Sequence, residues 1–452
     1  MKKINWRHQS DNPKDLLCVK ERAAYASSNA GIAFSYCLSL TFMSFYYTDV
    51  VGLSAQVVGT IFLISRVFDG FTDILMGWIV DKTKTRLGKA RPWILLGALP
   101  HALATILAFA VPADWLVAKQ YLYVFVTYNV LNAVTYTMTS VPIYAANCLI
   151  TDSPEEHSRS GIWMQVGWSA VLFFIQFSFL GMVGKFGNDA RAWTMAAAVY
   201  ALMGAGLMIF SGLVIRERVV PSKAEVKIPL RIRLKAVLSN KYWILYTLTW
   251  LVSATMYYLI DAGRVYYAEH VLGDSSKYVA MATTQSVVSL LFLVFVMRWT
   301  IKKLGNVMTN VLSFVFFLLG CLIQIFTVSW PIIIFGDALK GVGMAMNLGA
   351  QGGLMADACN YGSKKAGFDV SGMGNAGISF GSKVGMGLGG VIMGGVLGAA
   401  GYDGMAATQT TSALQGINHT YLILPIVTAV ICMLLMVPFD LYKKVSAGEA
   451  EI

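Results

Sequence analysis

"RVFDGFTDILMGWIVDKTKTRLGKARPW", residues 66–93, places Arg66, Asp69 and Asp73 inside an apolar run long enough to cross a bilayer. A charge at membrane depth costs at least about 2.5 kcal/mol on insertion scales, so residues of this kind are kept for transport, coupling or pairing. At the helical repeat the three share one face, with Thr72 beside them. Asp69 falls about 21 Å along the helix from its start near residue 55, close to the membrane middle. Two carboxylates one turn apart repel each other unless a cation or proton lies between them. Carboxylate and hydroxyl oxygens suit a hard cation, which leaves Na⁺ or H⁺ open. The plainer alternative, an ion pair of Arg66 with Asp69, gives Asp73 no role.

Outside this stretch the chain is 56% hydrophobic and 13% charged, which excludes an ordinary soluble protein. Apolar windows of about 20 residues, the length that crosses a core of roughly 30 Å, recur twelve times. Six lie within 24–215 and six within 242–441, so the expected fold class is an all-α membrane protein of twelve transmembrane helices in two six-helix halves. The polar, basic segment 1–23 shows no cleavable leader and is expected to stay cytoplasmic. Residues 216–241, with eight basic and two acidic residues and two prolines, read as a cytoplasmic linker, and 442–452 as a cytoplasmic tail.

The basic residues fix the expected orientation. With both termini inside, four lie in outer loops (Lys119, Lys185, Arg191, Lys277) and four inside helices (Arg66, Arg264, Lys340, Lys383). The remaining 27 of 35 are on the cytoplasmic side of an inner-membrane, multi-pass protein. The net charge of +11 then points to anionic lipid and not to nucleic acid. Six cysteines without a CxxC spacing read as apolar fillers. HExxH, GxxxxGK[ST] and GxSxG are absent and the five histidines are scattered, so neither an enzyme nor a cofactor or metal centre beyond Na⁺ is expected.

An internal echo supports duplication: "TRLGK" after helix two resembles "KKLGN" after helix eight, with Gly88 and Gly305 217 residues apart. The same shift carries Asp69 and Asp73 to Ser286 and Leu290, so the charged site belongs to one half. Glycines crowd the segments 336–357 and 372–401, as helices that bend or pack tightly require.

The stretch "YYTDVVGLSAQVVGTIFLISRVFDGFTDILMGWIVDKTKTRLGKARPWILLGALP" resembles the glycoside-pentoside-hexuronide:cation symporters. "TYTMTSVPIY", "MADACNYG" and "GISFGSKVGMGLGG" extend the likeness over nearly the whole chain. The resemblance implies the major facilitator fold, alternating access and a small-molecule glycoside as partner, with no cofactor besides a co-transported Na⁺ or H⁺. It implies that Asp69, Asp73, Thr72 and Thr137 hold that cation, and that Lys383 links cation and sugar. The acids that grip galactosyl hydroxyls in the family's best-known member are replaced here by Ala33 and Ser140, and its helix-five arginine by Gln165.

Ser140, Tyr136, Tyr144, Gln165, Arg264, Ser379 and Gln351, with Lys383, form the expected substrate set. Asp261 with Arg264 and Asp337 with Lys340 balance as i,i+3 pairs, and Arg66 and the cation balance the helix-two acids. An anionic substrate would then complete the charge count opposite Lys383, favouring an acidic glycoside such as a glucuronide. A neutral glycoside or pentoside, a lysolipid carrier, and a sensor or channel are the alternatives. Arg66, Lys383, Asp81, Arg86, Arg91 and Asp357 are the expected coupling and gating residues. The loop "DKTKTRLGKARPW" would latch onto acids such as Asp152, Glu155 or Asp357 in a protein that works as a monomer.

Overall fold

The computed structural model describes residues 16–219, 229–368, 370–406 and 408–441, and all regular elements among them are helical. One long helix covers each expected window. They are α1 Val19–Phe45, α2 Ala55–Lys82, α3 Arg91–Ala108, α4 over 117–150, α5 Pro154–Lys185 and α6 Ala190–Val214. After a short helix, Leu230–Leu238, come α7 Lys241–Val271, α8 over 276–304, α9 over 306–325, α10 Trp330–Ala366, α11 Ser371–Ala399 and α12 Thr411–Met436. Among the described residues, eight helical stretches are apolar enough to cross a membrane on hydropathy alone, one of them running through both α8 and α9. α1, α2 and α4 fall outside that set. They carry the polar side chains described below, and a helix that lines a polar site gives up mean hydropathy to do so.

The chain clusters into two units, Met1–Leu53 with Ile64–Glu225, and Ser54–Leu63 with Val226–Ile452. In the first, α1 crosses α6 where a Cβ on Gly31 would sit 2.7 Å from the Gly204 oxygen, and one on Gly204 2.6 Å from the Gly31 oxygen. In the second, α9 crosses α10 at Gly320 and Gly336 in the same manner, with 2.6 and 2.8 Å. Lipid is as apolar as leucine, so close backbone approach and the dispersion contacts it allows replace the hydrophobic drive here. The glycine-rich α10 and α11 run as unbroken helices.

The duplication is clearer in the backbone than in the residues. Gly88 and Gly305 both have positive φ, +111° and +71°: Gly88 lies in the loop between α2 and α3, and Gly305 parts α8 from α9. A second echo lies at the ends of α1 and α7. "YYTDVVG" (46–52) and "YAEHVLG" (267–273) each form a π turn, Tyr46–Val50 and Tyr267–Val271. Each is closed by a positive-φ glycine, Gly52 at +83° and Gly273 at +66°.

Candidate functional site

Within the first unit, α2 and α4 bring together the acidic pair and one hydroxyl. Asp69 is fully buried, Thr137 and Arg66 are buried, and Asp73 is half-buried. Thr137 Oγ1 lies 2.9 Å from Asp69 Oδ1 and 3.0 Å from Asp73 Oδ1, so one hydroxyl proton serves two carboxylates. Thr137 is the first residue after a π turn, Val130–Tyr136, and such turns gather at functional sites. A buried pin holds that turn, with His101 Nδ1 3.0 Å from Thr135 Oγ1. Thr72 turns its hydroxyl back to the Asp69 carbonyl at 3.0 Å.

Arg66 NH1 stands 3.7 Å from Asp69 Oδ2, close enough to offset its charge. The Arg66 guanidinium also lies over the Tyr36 ring, 5.9 Å from its centroid. Tyr36 in turn packs on Tyr136 at 5.3 Å and on Trp168 at 5.1 Å between centroids. A continuous run of contacts therefore joins Trp168 to Asp69 through Tyr36 and Arg66.

Trp168 opens onto a cavity of about 370 Å³ walled by α1, α4 and α5. Tyr144 and Gln165, expected from sequence, line it together with Tyr25, Asn29, Asn147 and Met164. Tyr136 and Ser140 are buried on α4 and are not among its lining residues. Sequence reasoning missed Asn29, Asn147 and Trp168. The available signal was an amide inside an apolar helix, since such groups need partners that lipid does not provide.

In the second unit, Lys383, Gln351 and Asp357 are half-buried on α11 and α10, and Ser379 is exposed. Arg264 is almost fully buried, 3.6 Å from Asp261 and hydrogen-bonded to Gln285. Nearby, Lys340 Nζ donates to Gln324 Oε1 at 2.6 Å and faces Asp337 at 3.5 Å. The Tyr421 hydroxyl donates to Asp337 Oδ1 at 2.9 Å. The expected i,i+3 pairs are thus embedded in a shell of glutamine and tyrosine, with Arg264 held by Asp261 and Gln285.

The loop 83–90 is held inside the first unit. The Glu217 carboxylate accepts from the backbone N–H groups of Lys89, Ala90 and Arg91 at 2.7, 2.8 and 3.0 Å, capping α3. Arg91 Nε donates to the Gly212 carbonyl at 3.1 Å. Asp81, Arg86 and Asp152 are exposed, and the Glu155 side chain lies outside the described residues.

The sequence model of a family described as MFS/sugar transport protein matches residues 24–443. The isoprimeverose transporter of Lactiplantibacillus pentosus is 29% identical over 425 residues, 92% of this chain and 87% of that one. The glucuronide carrier protein homolog of Escherichia coli (strain K12) is 26% identical, covering 89% and 88%. The putative glycoside/cation symporter YagG of the same strain is 26% identical, covering 91% and 89%. Among solved structures, nucleoside transporter NupG superposes with a TM-score of 0.62 at 12% identity, covering 93% of this chain and 99% of that one, a likeness of fold.

Proposed function

Because the chain belongs to the MFS/sugar transport protein family and is a multi-pass transporter rather than an enzyme, we propose that it is a cation-coupled glycoside symporter that works by alternating access. The observation that carries this reading is the Thr137 hydroxyl bridging Asp69 and Asp73 at membrane depth. Three oxygens converge there with two negative charges, of which Arg66 offsets one. A monovalent cation completes the balance. The donor set suits Na⁺, and H⁺ is the other outcome of the same assay.

For the substrate, the first reading is a glycoside that bears a carboxylate, with the half-buried Lys383 on α11 as the group that meets it. One relative is named a glucuronide carrier homolog, which supports this choice. A neutral glycoside is the second reading, supported by the name of the isoprimeverose transporter. Cation and substrate binding in one symporter must strengthen each other by the same factor, which gives the test its form.

Purified protein in proteoliposomes should concentrate a labelled glycoside only under an inward gradient of the coupling ion. Imposing Na⁺ and H⁺ gradients separately names the ion. Uptake that ignores both gradients overturns symport. Equal affinity for a glucuronide and the matching glucoside, or unchanged cation dependence in Lys383→Ala, overturns the acidic assignment.

A further inference from the structure

The short helix Leu230–Leu238 presents a face that suits neither water nor hydrocarbon. At the helical repeat Arg231, Leu234, Lys235 and Leu238 fall on one side of it. All four are exposed, the leucines at 41% and 59%. With Ser239 they line a shallow groove of about 760 Å³, and no acidic side chain is among its described lining residues. The surrounding sequence, "KIPLRIRLKAVLSNK" (227–241), holds five basic residues and no acid.

The other side of the helix is fixed to the second unit. Val237 is buried in an apolar cluster with Tyr242 and Trp243, and Ala236 packs against that cluster. Asn240, two residues beyond the helix, ties its end to two others. The Asn240 Oδ1 accepts from the backbone N–H groups of Tyr242 and Trp243 at 3.1 and 3.3 Å, capping α7. Its Nδ2 donates to the Ala358 carbonyl of α10 at 2.7 Å. Since α7 is long and apolar enough to cross a membrane, the groove is held at the end of a span, where hydrocarbon gives way to headgroups.

This juxtaposition of two cations and two leucines selects the ligand. A free phosphate would leave Leu234 and Leu238 uncovered, and an uncharged lipid would leave Arg231 and Lys235 without a countercharge. An anionic phospholipid brings both a phosphate and an alkyl chain. An acidic protein segment matches the charge but has no use for leucines set at the bilayer surface. We propose that this groove is a binding site for one anionic phospholipid of the cytoplasmic leaflet, with Arg231 and Lys235 on its phosphate and Leu234 and Leu238 along the start of an acyl chain. The proposal rests on the membrane placement of α7 and not on symport, so its failure leaves the symport reading standing.

The test reads binding at the groove itself, in the full chain in detergent. Ser239→Cys carries a fluorophore in a Cys148→Ser background, which removes the exposed one of the six native cysteines. Phosphatidylglycerol with brominated chains should quench the label saturably, and phosphatidylcholine with the same chains more weakly. Glycerol 3-phosphate, the headgroup anion without a chain, should not compete. Arg231→Gln combined with Lys235→Gln should weaken phosphatidylglycerol about 30-fold, about fivefold for each charge, and leave phosphatidylcholine unchanged. Arg231→Lys, which keeps the charge, should bind like the parent. Leu234→Ser combined with Leu238→Ser should weaken both lipids.

Four results overturn the proposal: equal quenching by the two lipids, a double glutamine variant that binds phosphatidylglycerol like the parent, competition by glycerol 3-phosphate at lipid concentrations, or displacement of the lipid by a polyglutamate peptide. The last would favour an acidic protein partner instead.

Discussion

Asp73→Asn should make the protein more stable and less able to bind its cation at the same time. Both Asp69 Oδ1 and Asp73 Oδ1 are hydrogen-bonded to one hydroxyl, at 2.9 and 3.0 Å. Their oxygens therefore lie within about 6 Å of each other, and at an effective dielectric of about 20 two unit charges so placed repel by about 3 kcal/mol. Removing one charge returns up to that amount to the empty protein. A bound cation about 4 Å from a carboxylate gains about 4 kcal/mol from it at the same dielectric. The amide forfeits this, which is about a thousandfold in affinity.

The repulsion between the carboxylates is present before and after the cation binds, so it does not cancel the loss. In cation-free buffer the melting temperature of Asp73→Asn should exceed that of the parent, and added cation should no longer raise it. Concentrative uptake should vanish while equilibrative exchange survives. Asp69→Asn is the contrast. It also strips the buried Arg66 of its carboxylate at 3.7 Å, and an uncompensated buried charge costs about 3–5 kcal/mol, so the stability gain should not appear. The reasoning is refuted if Asp73→Asn keeps its half-saturating cation concentration within tenfold of the parent, or if both variants still accumulate substrate.

Tyr36→Ala should uncouple the ligands, because Tyr36 alone joins Trp168 to Arg66 in the contact run above. The factor by which glycoside tightens cation binding should fall towards one, a loss of about 1–3 kcal/mol of coupling, and an unchanged factor would exclude this route. Gly88→Ala should lower the melting temperature more than Glu217→Gln does. It forces a Cβ into the Glu217 carboxylate at a φ of +111°, adding about 1–2 kcal/mol of backbone strain to the weakened cap of α3. Lys340→Met alone should reduce folded yield by leaving Asp337 buried and unneutralised, and the double variant with Asp337→Leu should restore it. Equal yields of single and double variants would show that the pair does not act as a unit.

The membrane class and the charged face of α2 were legible in the residues alone. Apolar run length, helical periodicity and the cost of a buried charge are local quantities, readable at one position without knowing its neighbours. Thr137 was reached through family likeness and not through spacing, because its hydroxyl acts on a helix 64 residues away. The second echo, "YYTDVVG" against "YAEHVLG", was present in the letters, but four of its seven positions differ and only the shared π turn and positive-φ glycine make it legible.

Tertiary structure decided what long-range contact decides. Glu217 looked like one acid in a basic linker until the fold set its carboxylate on three N–H groups more than 120 residues earlier. Arg264 and Lys340 read as members of simple i,i+3 pairs, and the fold enclosed them with Gln285, Gln324 and Tyr421 drawn from other helices. Asn29 and Asn147 lie on different helices with nothing in their own neighbourhoods to mark them. Packing of three helices makes them walls of one cavity, and no local property of the sequence carries that.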